Sequence, residues 1–543
     1  MASKLKDKKN KKPENPGKET MALFLQYSVI MLTVLIVTIL PLALKDGYYK
    51  IGEFKFKVYG YLMAGGIVIL VPMLILYAVF CRKEISLKKI WEDFSLTDKF
   101  VMAYFITTLI SFFANPKYMK DNFIGYPGWY MGLYAQFTFV FLYFVLSRFA
   151  KDYVITLAFL ASTSFLAYVF GILHRMLIDP LGTYEGISPI YYNFLSTLGQ
   201  SSWYSSFLCT FLPLMMGVYL VVDKRWLRII SGIFCMTGFT TLVSQSSDSA
   251  YFAIVGTFLV LVFIAVRKAE WMRHLVELAW GVFVAGKIMQ LLLTISPNEY
   301  LFVEWGQVRL DKISLFLITD NRSWLCVIMM TIIWIVFLLI EKKRAYTDNT
   351  VKVMTILRNI LYAAVLILLM TVTAVLVLEA NGKLSQQMMD MLEKIPYMIW
   401  NEEWGNGRGF TWSVTLKMIR EFRPLKLLLG VGPDGYAKYG YEFYQEIIRA
   451  KWGDNVLTNA HNEWINMIVD GGLLGGVAYA GIYLSSLFRS VKAAEKLPVL
   501  VASAACVSSY MFHNLFCYQQ VLCTPFIFML MAFAEYKMRS ERG

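Results

Sequence analysis

The sequence is short of charge and of histidine: 17% of its 543 residues are charged and four are His. With 57% hydrophobic residues and a mean hydropathy of +0.53, the composition excludes an ordinary soluble domain and leaves an integral membrane protein. The seven cysteines (Cys81, Cys209, Cys235, Cys326, Cys506, Cys517, Cys523) form no CxxC or CxH pair, which removes the expectation of a disulfide framework or a zinc site. No carboxylate or His/Cys cluster calls for a metal, and no cofactor is expected. The loops carry no nucleotide-binding fingerprint, and no internal repeat is visible. The first apolar run lacks a small-x-small cleavage site after it, so it reads as a retained signal anchor.

What is present is a long series of apolar runs. About fourteen could span a bilayer, at roughly 22–44, 58–81, 98–115, 129–147, 153–172, 203–222, 226–246, 250–267, 274–294, 323–341, 356–379, 462–487, 497–516 and 519–535. The expectation is an all-α polytopic membrane protein with about 12–14 transmembrane helices and a large extracytoplasmic loop before the last helices. Its organisation would be a basic cytoplasmic tail (1–21), membrane helices (22–379), an outer loop with short helices (380–461), C-terminal membrane helices (462–535) and a second tail (536–543). Threading the spans from a cytoplasmic N-terminus puts the basic clusters on one side, among them Lys4 to Lys18, Arg82-Lys83, Lys342-Lys343-Arg344, Arg489 and Arg539 to Arg542. The net charge of +14 is thereby assigned to orientation at membrane lipid and needs no nucleic acid. One loop resists: Lys45, Lys50, Lys55 and Lys57 fall outside, in a segment read as amphipathic or strand-like.

Polar chemistry collects in the outer loops, above all 380–461. There, 411–422 and 441–452 have the apolar spacing of short helices, which would pack on the membrane face as a lid. His461 follows in Leu457-Thr458-Asn459-Ala460-His461-Asn462-Glu463-Trp464, where Thr458 or Asn459 could cap the next helix. A helix N-terminus disfavours imidazolium, and a neutral imidazole is what a general base requires. The plainer reading is a solvated histidine at a helix start. Asn462 and Glu463 could orient the ring or hold a sugar hydroxyl. Arg408 sits among glycines in Gly405-Asn406-Gly407-Arg408-Gly409, where guanidinium could meet phosphate; locally a glycine turn explains it as well. Arg322 and Arg175 are further outward arginines, each read first as an interfacial anchor. Gly430-x-Gly432 is weak as a phosphate loop, because Pro433 and Asp434 open no helix after it. Ser244 to Ser249 could be a cap or bind sugar. His174 and His513 read as interfacial, and Lys287 as nearly the sole ionisable residue inside a span.

Taken in order, Gly407-Arg408-x3-Trp412, Leu429-Gly430-Val431-Gly432-Pro433 and Ala460-His461-Asn462 with Gly471-Gly472-Leu473-Leu474-Gly475 resemble the signature of the O-antigen ligase and polymerase superfamily. Trp129-x2-Gly132-Leu133 and Ser196-Thr197-Leu198-Gly199-Gln200 resemble earlier segments of that family. Two departures stand out. Where the family carries an arginine in a Ser-Arg-Gly-Ala type motif, this chain has Ser247-Asp248-Ser249-Ala250, so Arg322 or Arg175 would have to substitute. The span count also exceeds the family's dozen or so, by roughly two helices around 250–341.

The resemblance implies transfer of a glycan from a polyprenyl-diphosphate carrier to an acceptor hydroxyl on the outer face of a bacterial plasma membrane. Both termini would be cytoplasmic. His461 and Arg408 would be catalytic, and Arg322, Arg175, Asn462, Asp434 and Trp412 would bind substrate, with Trp404 and Tyr436 as further stacking surfaces. The partners would be a polyprenyl-diphosphate-linked oligosaccharide, an acceptor glycan, membrane lipid and other polysaccharide-assembly proteins. The leading expectation is a polymerase of lipid-linked repeat units acting by metal-independent inverting transfer, and the alternative within the class is a ligase. A lipid-linked oligosaccharide flippase is the rival from another class. It would need ionisable groups near mid-membrane, whereas polarity here gathers at one face.

Overall fold

The computed structural model describes residues 16–82, 86–183, 195–296, 310–395, 397–454 and 456–541. Of the residues singled out above, the tail lysines up to Lys12, Lys83 and Arg542 lie outside them. Each apolar run becomes a helix, because an apolar segment in lipid must satisfy its backbone internally. In chain order these are α1 (Pro16–Leu42), α2 (Ile51–Phe80), α3 (Leu96–Ala114), α4 (Leu133–Phe149), α5 (Tyr153–Arg175), α6 (Ser201–Val221), α7 (Arg225–Gln245), α8 (Asp248–Ala265), α9 (Ala269–Thr294), α10 (Arg322–Lys342) and α11 (Asp348–Ala380). The outer segment supplies α12 (Trp404–Glu421), α13 (Pro424–Leu429) and α14 (Tyr436–Trp452), and the chain closes with α15 (Glu463–Ala493), α16 (Leu500–His513) and α17 (Thr524–Ser540). Among the described residues, eleven helices are long and apolar enough to cross a membrane; α4 and α16 are shorter apolar helices, and α17 has 17 residues. Among the described residues the only strand-like pairing is a bridge between Leu195 and Gly199. The chain is an all-α polytopic membrane protein.

Lipid offers no hydrophobic drive between helices, so close packing holds them. α6 and α16 form the centre: a Cβ on Gly217 would lie 2.4 Å from Ala502 Cα. α3 starts at a capping box, in which Ser95 and Asp98 each accept the other's backbone N–H, and it runs beside α15. α11 is the most peripheral of these spans, with none of its apolar window buried, and α2 and α10 follow.

The outer segment has its own core. Phe410, Val414 and Met418 of α12 meet Tyr436, Tyr439 and Ile448 of α14, with Val431 and Val469 beneath. Such side chains contribute about 1.5–3 kcal/mol each when fully buried, which fixes helices too short to stand alone.

Three sequence expectations are corrected. Lys55 and Lys57 belong to α2, not to a strand-like loop, and Lys55 Nζ is buried where it donates to the carbonyls of Leu40 and Pro41 at the end of α1, at 2.9 and 2.8 Å. The runs 497–516 and 519–535 do not meet in a tight turn: α16 stops at His513, α17 starts at Thr524, and 514–523 is irregular backbone inside the protein. Lys287 is not alone within the helices. Asp98 pairs with Arg148 and Arg539, and Glu277 accepts from Arg273, Tyr219 and Trp334.

Candidate active site

Gly472 is the hinge on which the site is built. It breaks α15 with φ +68°, a conformation natural to glycine, and frees the carbonyls of Val469 and Asp470 from the helix ladder. Val431 and Gly432 donate their backbone N–H groups to those two carbonyls, both at 2.9 Å, and Ser111 Oγ of α3 adds a bond to Asp470 O at 2.8 Å. The contact is close from both sides: a Cβ on Gly472 would lie 2.2 Å from Leu428 O, and one on Gly430 2.3 Å from Asp470 O. The two glycine motifs are one joint, which clamps the outer segment to α15.

Pro433 and Asp434 lie in a turn and open no helix, and α14 begins at Tyr436, ahead of the expected Tyr441. Its N-terminus is already occupied, because Asp470 Oδ1 accepts from Tyr436 N at 3.0 Å. Asp470 Oδ2 accepts from Asn466 Nδ2, and Asn466 Oδ1 accepts from Ala460 N, both at 2.9 Å. This chain of bonds ends one residue before His461. Asp434 Oδ2 accepts from the backbone of Tyr126 and Met131, at 2.6 and 3.0 Å, and joins the loop before α4 to the joint. Burial pushes the Asp434 carboxyl up to about 7 against those two bonds.

His461 itself is in the left-handed region, φ +49°, with its N–H donated to Asn459 Oδ1 at 2.9 Å. The cap of α15 is Asn462, not Thr458 or Asn459: its Oδ1 accepts from Trp464 N and Ile465 N, at 3.0 and 3.3 Å. Asn462 is therefore occupied in shaping the turn. Glu463 is likewise turned inward, accepting from Gln519 N at 2.7 Å. The imidazole packs edge-on against Tyr518, centroids 5.1 Å apart, and its ring N–H is directed at the backbone carbonyl of Asn459. Burial first, and the nearby Arg408 charge second, pull its pKa down to about 4 against the bond to the Asn459 backbone, so the ring is neutral at physiological pH and its second nitrogen carries a lone pair.

Arg408 follows three residues in the left-handed region, Gly405, Asn406 and Gly407. Its guanidinium donates to Gly405 O at 2.6 Å and, through Nε and Nη2, to Phe516 O at 3.2 and 2.9 Å. Among the described residues it has no carboxylate partner, so its charge is oriented but not neutralised. Trp412 stacks on Phe516 at 6.1 Å and 19°, and with Trp400 and Trp404 forms an aromatic wall. Tyr436 is not on that wall. It is fully buried and bonded to Thr415 Oγ1 at 2.7 Å.

Behind Tyr518 lies a small cavity of about 30 Å³ lined by Trp129, Asp434, Asn459, Glu463 and Asp470. Two buried atoms on its wall, Glu463 Oε1 and Gln519 Nε2, have no partner among the described residues.

The structure thus brings His461, Arg408, Trp412, Asp434 and Asn462 into one region. Arg322 lies elsewhere, exposed and paired with Asp320. Arg175 is buried at the end of α5, donating to Ser244 O at 2.5 Å, beside the Ser244 to Ser249 stretch. In that stretch Asp248 accepts from the Tyr397 hydroxyl. His174 and His513 are buried, hydrogen-bonded to Ser196 N and Ser205 Oγ, and are not interfacial. Sequence reasoning missed Phe516, Tyr518 and Gln519, because it read their segment as membrane span; the adjacent Gln519-Gln520 was the signal available.

Residues 313–480 match the family described as O-antigen ligase, a range that holds His461, Arg408, Trp412 and both glycine motifs. The match supports the O-antigen ligase and polymerase superfamily, and with it a glycosyl-transferring enzyme that acts on lipid-linked glycans. No curated protein matches the chain.

Proposed function

We propose, with the O-antigen ligase family match as premise, that this chain is a cell-surface polysaccharide polymerase joining polyprenyl-diphosphate-linked repeat units. The observation that carries the reading is a neutral imidazole, one nitrogen held at the Asn459 backbone and the other a lone pair, beside a guanidinium held only by carbonyls. An acceptor sugar hydroxyl attacks the anomeric carbon of the donor on the face opposite the diphosphate. His461 takes the hydroxyl proton, the new glycosidic bond forms, and the old carbon–oxygen bond breaks with its electron pair on the diphosphate. The anomeric centre inverts. Arg408 faces the charge growing on the leaving group, a role usually worth about 10²–10³ in rate. Trp412 and its neighbours stack on sugar rings, while Asn462 and Asp434 hold the turn and joint that position His461. Arg175 and Arg322 are engaged with protein groups, which leaves the diphosphate to Arg408. The site would face the extracytoplasmic side of a bacterial plasma membrane, with both termini cytoplasmic and no metal in the chemistry.

The test is a gel of products from purified protein given only the polyprenyl-diphosphate oligosaccharide of its own host. A ladder of repeats supports the polymerase. Transfer that appears only when a different acceptor is added identifies a ligase with the same site. Movement of donor across a vesicle membrane with no new glycosidic bond would overturn both.

A further inference from the structure

A second concave surface lies away from His461. It is a groove of about 600 Å³ between the end of α3 and the outer helices, lined by Lys117, Tyr118, Arg423, Lys426, Tyr439 and Phe443 with the carboxylates Glu421 and Glu442. Its depth in the membrane follows from the fold. α3 ends at Ala114, the groove begins at the same residue, and α3 is bonded near its end to Asp470 at the start of α15. The groove is therefore at the headgroup level of the membrane surface on which His461 lies.

Its charges do not cancel. Glu442 is taken by Lys117 and by the Tyr118 hydroxyl, and Glu421 accepts from Tyr444 at 2.6 Å. Arg423 and Lys426 have no carboxylate partner among the described residues. Lys426 is half-buried, with its ammonium 5.1 Å from the Tyr439 ring centroid and a single hydrogen bond, to Asn115 Oδ1 at 3.2 Å. A partly desolvated ammonium with two donors unused is built to receive an anion. The same short helix, α13, exposes Leu425 (68%) and Leu428 (44%), and Phe113 and Phe443 are exposed nearby (63% and 57%). A glycan or a free phosphate has no use for that apolar rim, whereas a phospholipid has both an anion and acyl chains.

We propose that this groove binds the phosphate headgroup of an anionic glycerophospholipid, with Arg423 and Lys426 on the phosphate and Leu425 and Leu428 in the acyl region. The contact would fasten α13, and through it the joint at Gly430 and Gly472, to the membrane surface. The site is independent of the transfer chemistry.

The experiment is native mass spectrometry of the full chain in detergent, titrated with dioleoyl phosphatidylglycerol, dioleoyl phosphatidylcholine or undecaprenyl phosphate. The expected result is that phosphatidylglycerol is retained several-fold better than phosphatidylcholine. An Arg423→Gln/Lys426→Gln double variant should lose that preference, and an Arg423→Lys/Lys426→Arg variant should keep it. Melting temperatures close to wild type for both variants would confirm that folding is not the cause. Equal retention of the two phospholipids, an unaltered preference in the neutral double variant, or a stronger preference for undecaprenyl phosphate would each overturn the proposal.

Discussion

At the scale of the residue, the site turns on how two side chains are left unsatisfied. His461 holds one nitrogen at the Asn459 backbone and leaves the other as a lone pair, and the Arg408 charge has no counter-ion among the described residues. Their proximity sets a pH dependence. Burial and Arg408 lower the imidazole from 6.5 to about 4, so the basic form is present above that value and is lost as pH falls through it. Donor consumption at low substrate concentration should lose its His461-dependent activity as pH falls through about 4, and any step near 7 belongs to the Asp434 carboxyl. In Arg408→Gln the rate should drop about 10²–10³-fold, and the acid limb of the residual activity should move upward, since one cause of the depression is gone. A His461-dependent limb near 6.5 would show instead a solvated histidine. The sequence made both residues legible because each stands in a local pattern, Arg among glycines and His in a polar turn. It could not show which asparagine caps α15: Asn459 and Asn462 have the same side chain, and only the backbone direction selects between them.

At the scale of the element, the glycines of the two motifs serve packing, not a phosphate. Gly472→Ala places a Cβ 2.2 Å from Leu428 O in a left-handed conformation, so either α15 straightens or the joint opens. Limited proteolysis should then cut within 424–460 at conditions where the wild type is resistant. Transfer should fall strongly, while the membrane-inserted yield stays close to wild type. Gly471→Ala, whose Cβ meets nothing within 4 Å, is the control and should behave like the wild type. Helices were the most legible level, since an apolar run of some twenty residues has no other solution in lipid. The irregular segment 514–523 was not legible. Leu515, Phe516, Cys517 and Tyr518 are as apolar as the spans around them, and nothing local says that their backbone will bend inward to hold Arg408 and meet His461.

At the scale of the whole molecule, the long helices position one reactive surface. Asp98, Arg148 and Arg539 link α3, α4 and α17 at the end of the bundle away from Asp470 and His461. Single cysteines placed in a cysteine-free background at exposed Ser540 and exposed Phe443 should therefore label from opposite sides of intact cells, Phe443→Cys from outside. Labelling of both from one side would contradict the bundle. The helices α10 and α11 contribute little buried surface to the bundle.

The central claim is that His461 is the base for glycan transfer, and a single comparison reaches it: initial donor turnover by purified wild type and His461→Gln, with donor binding measured on the same preparations. The account predicts that the variant binds the polyprenyl-diphosphate oligosaccharide as the wild type does and turns it over at least 10²-fold more slowly, the lower range of a lost acid–base group. Turnover at the wild-type rate by a variant that binds donor normally would contradict it.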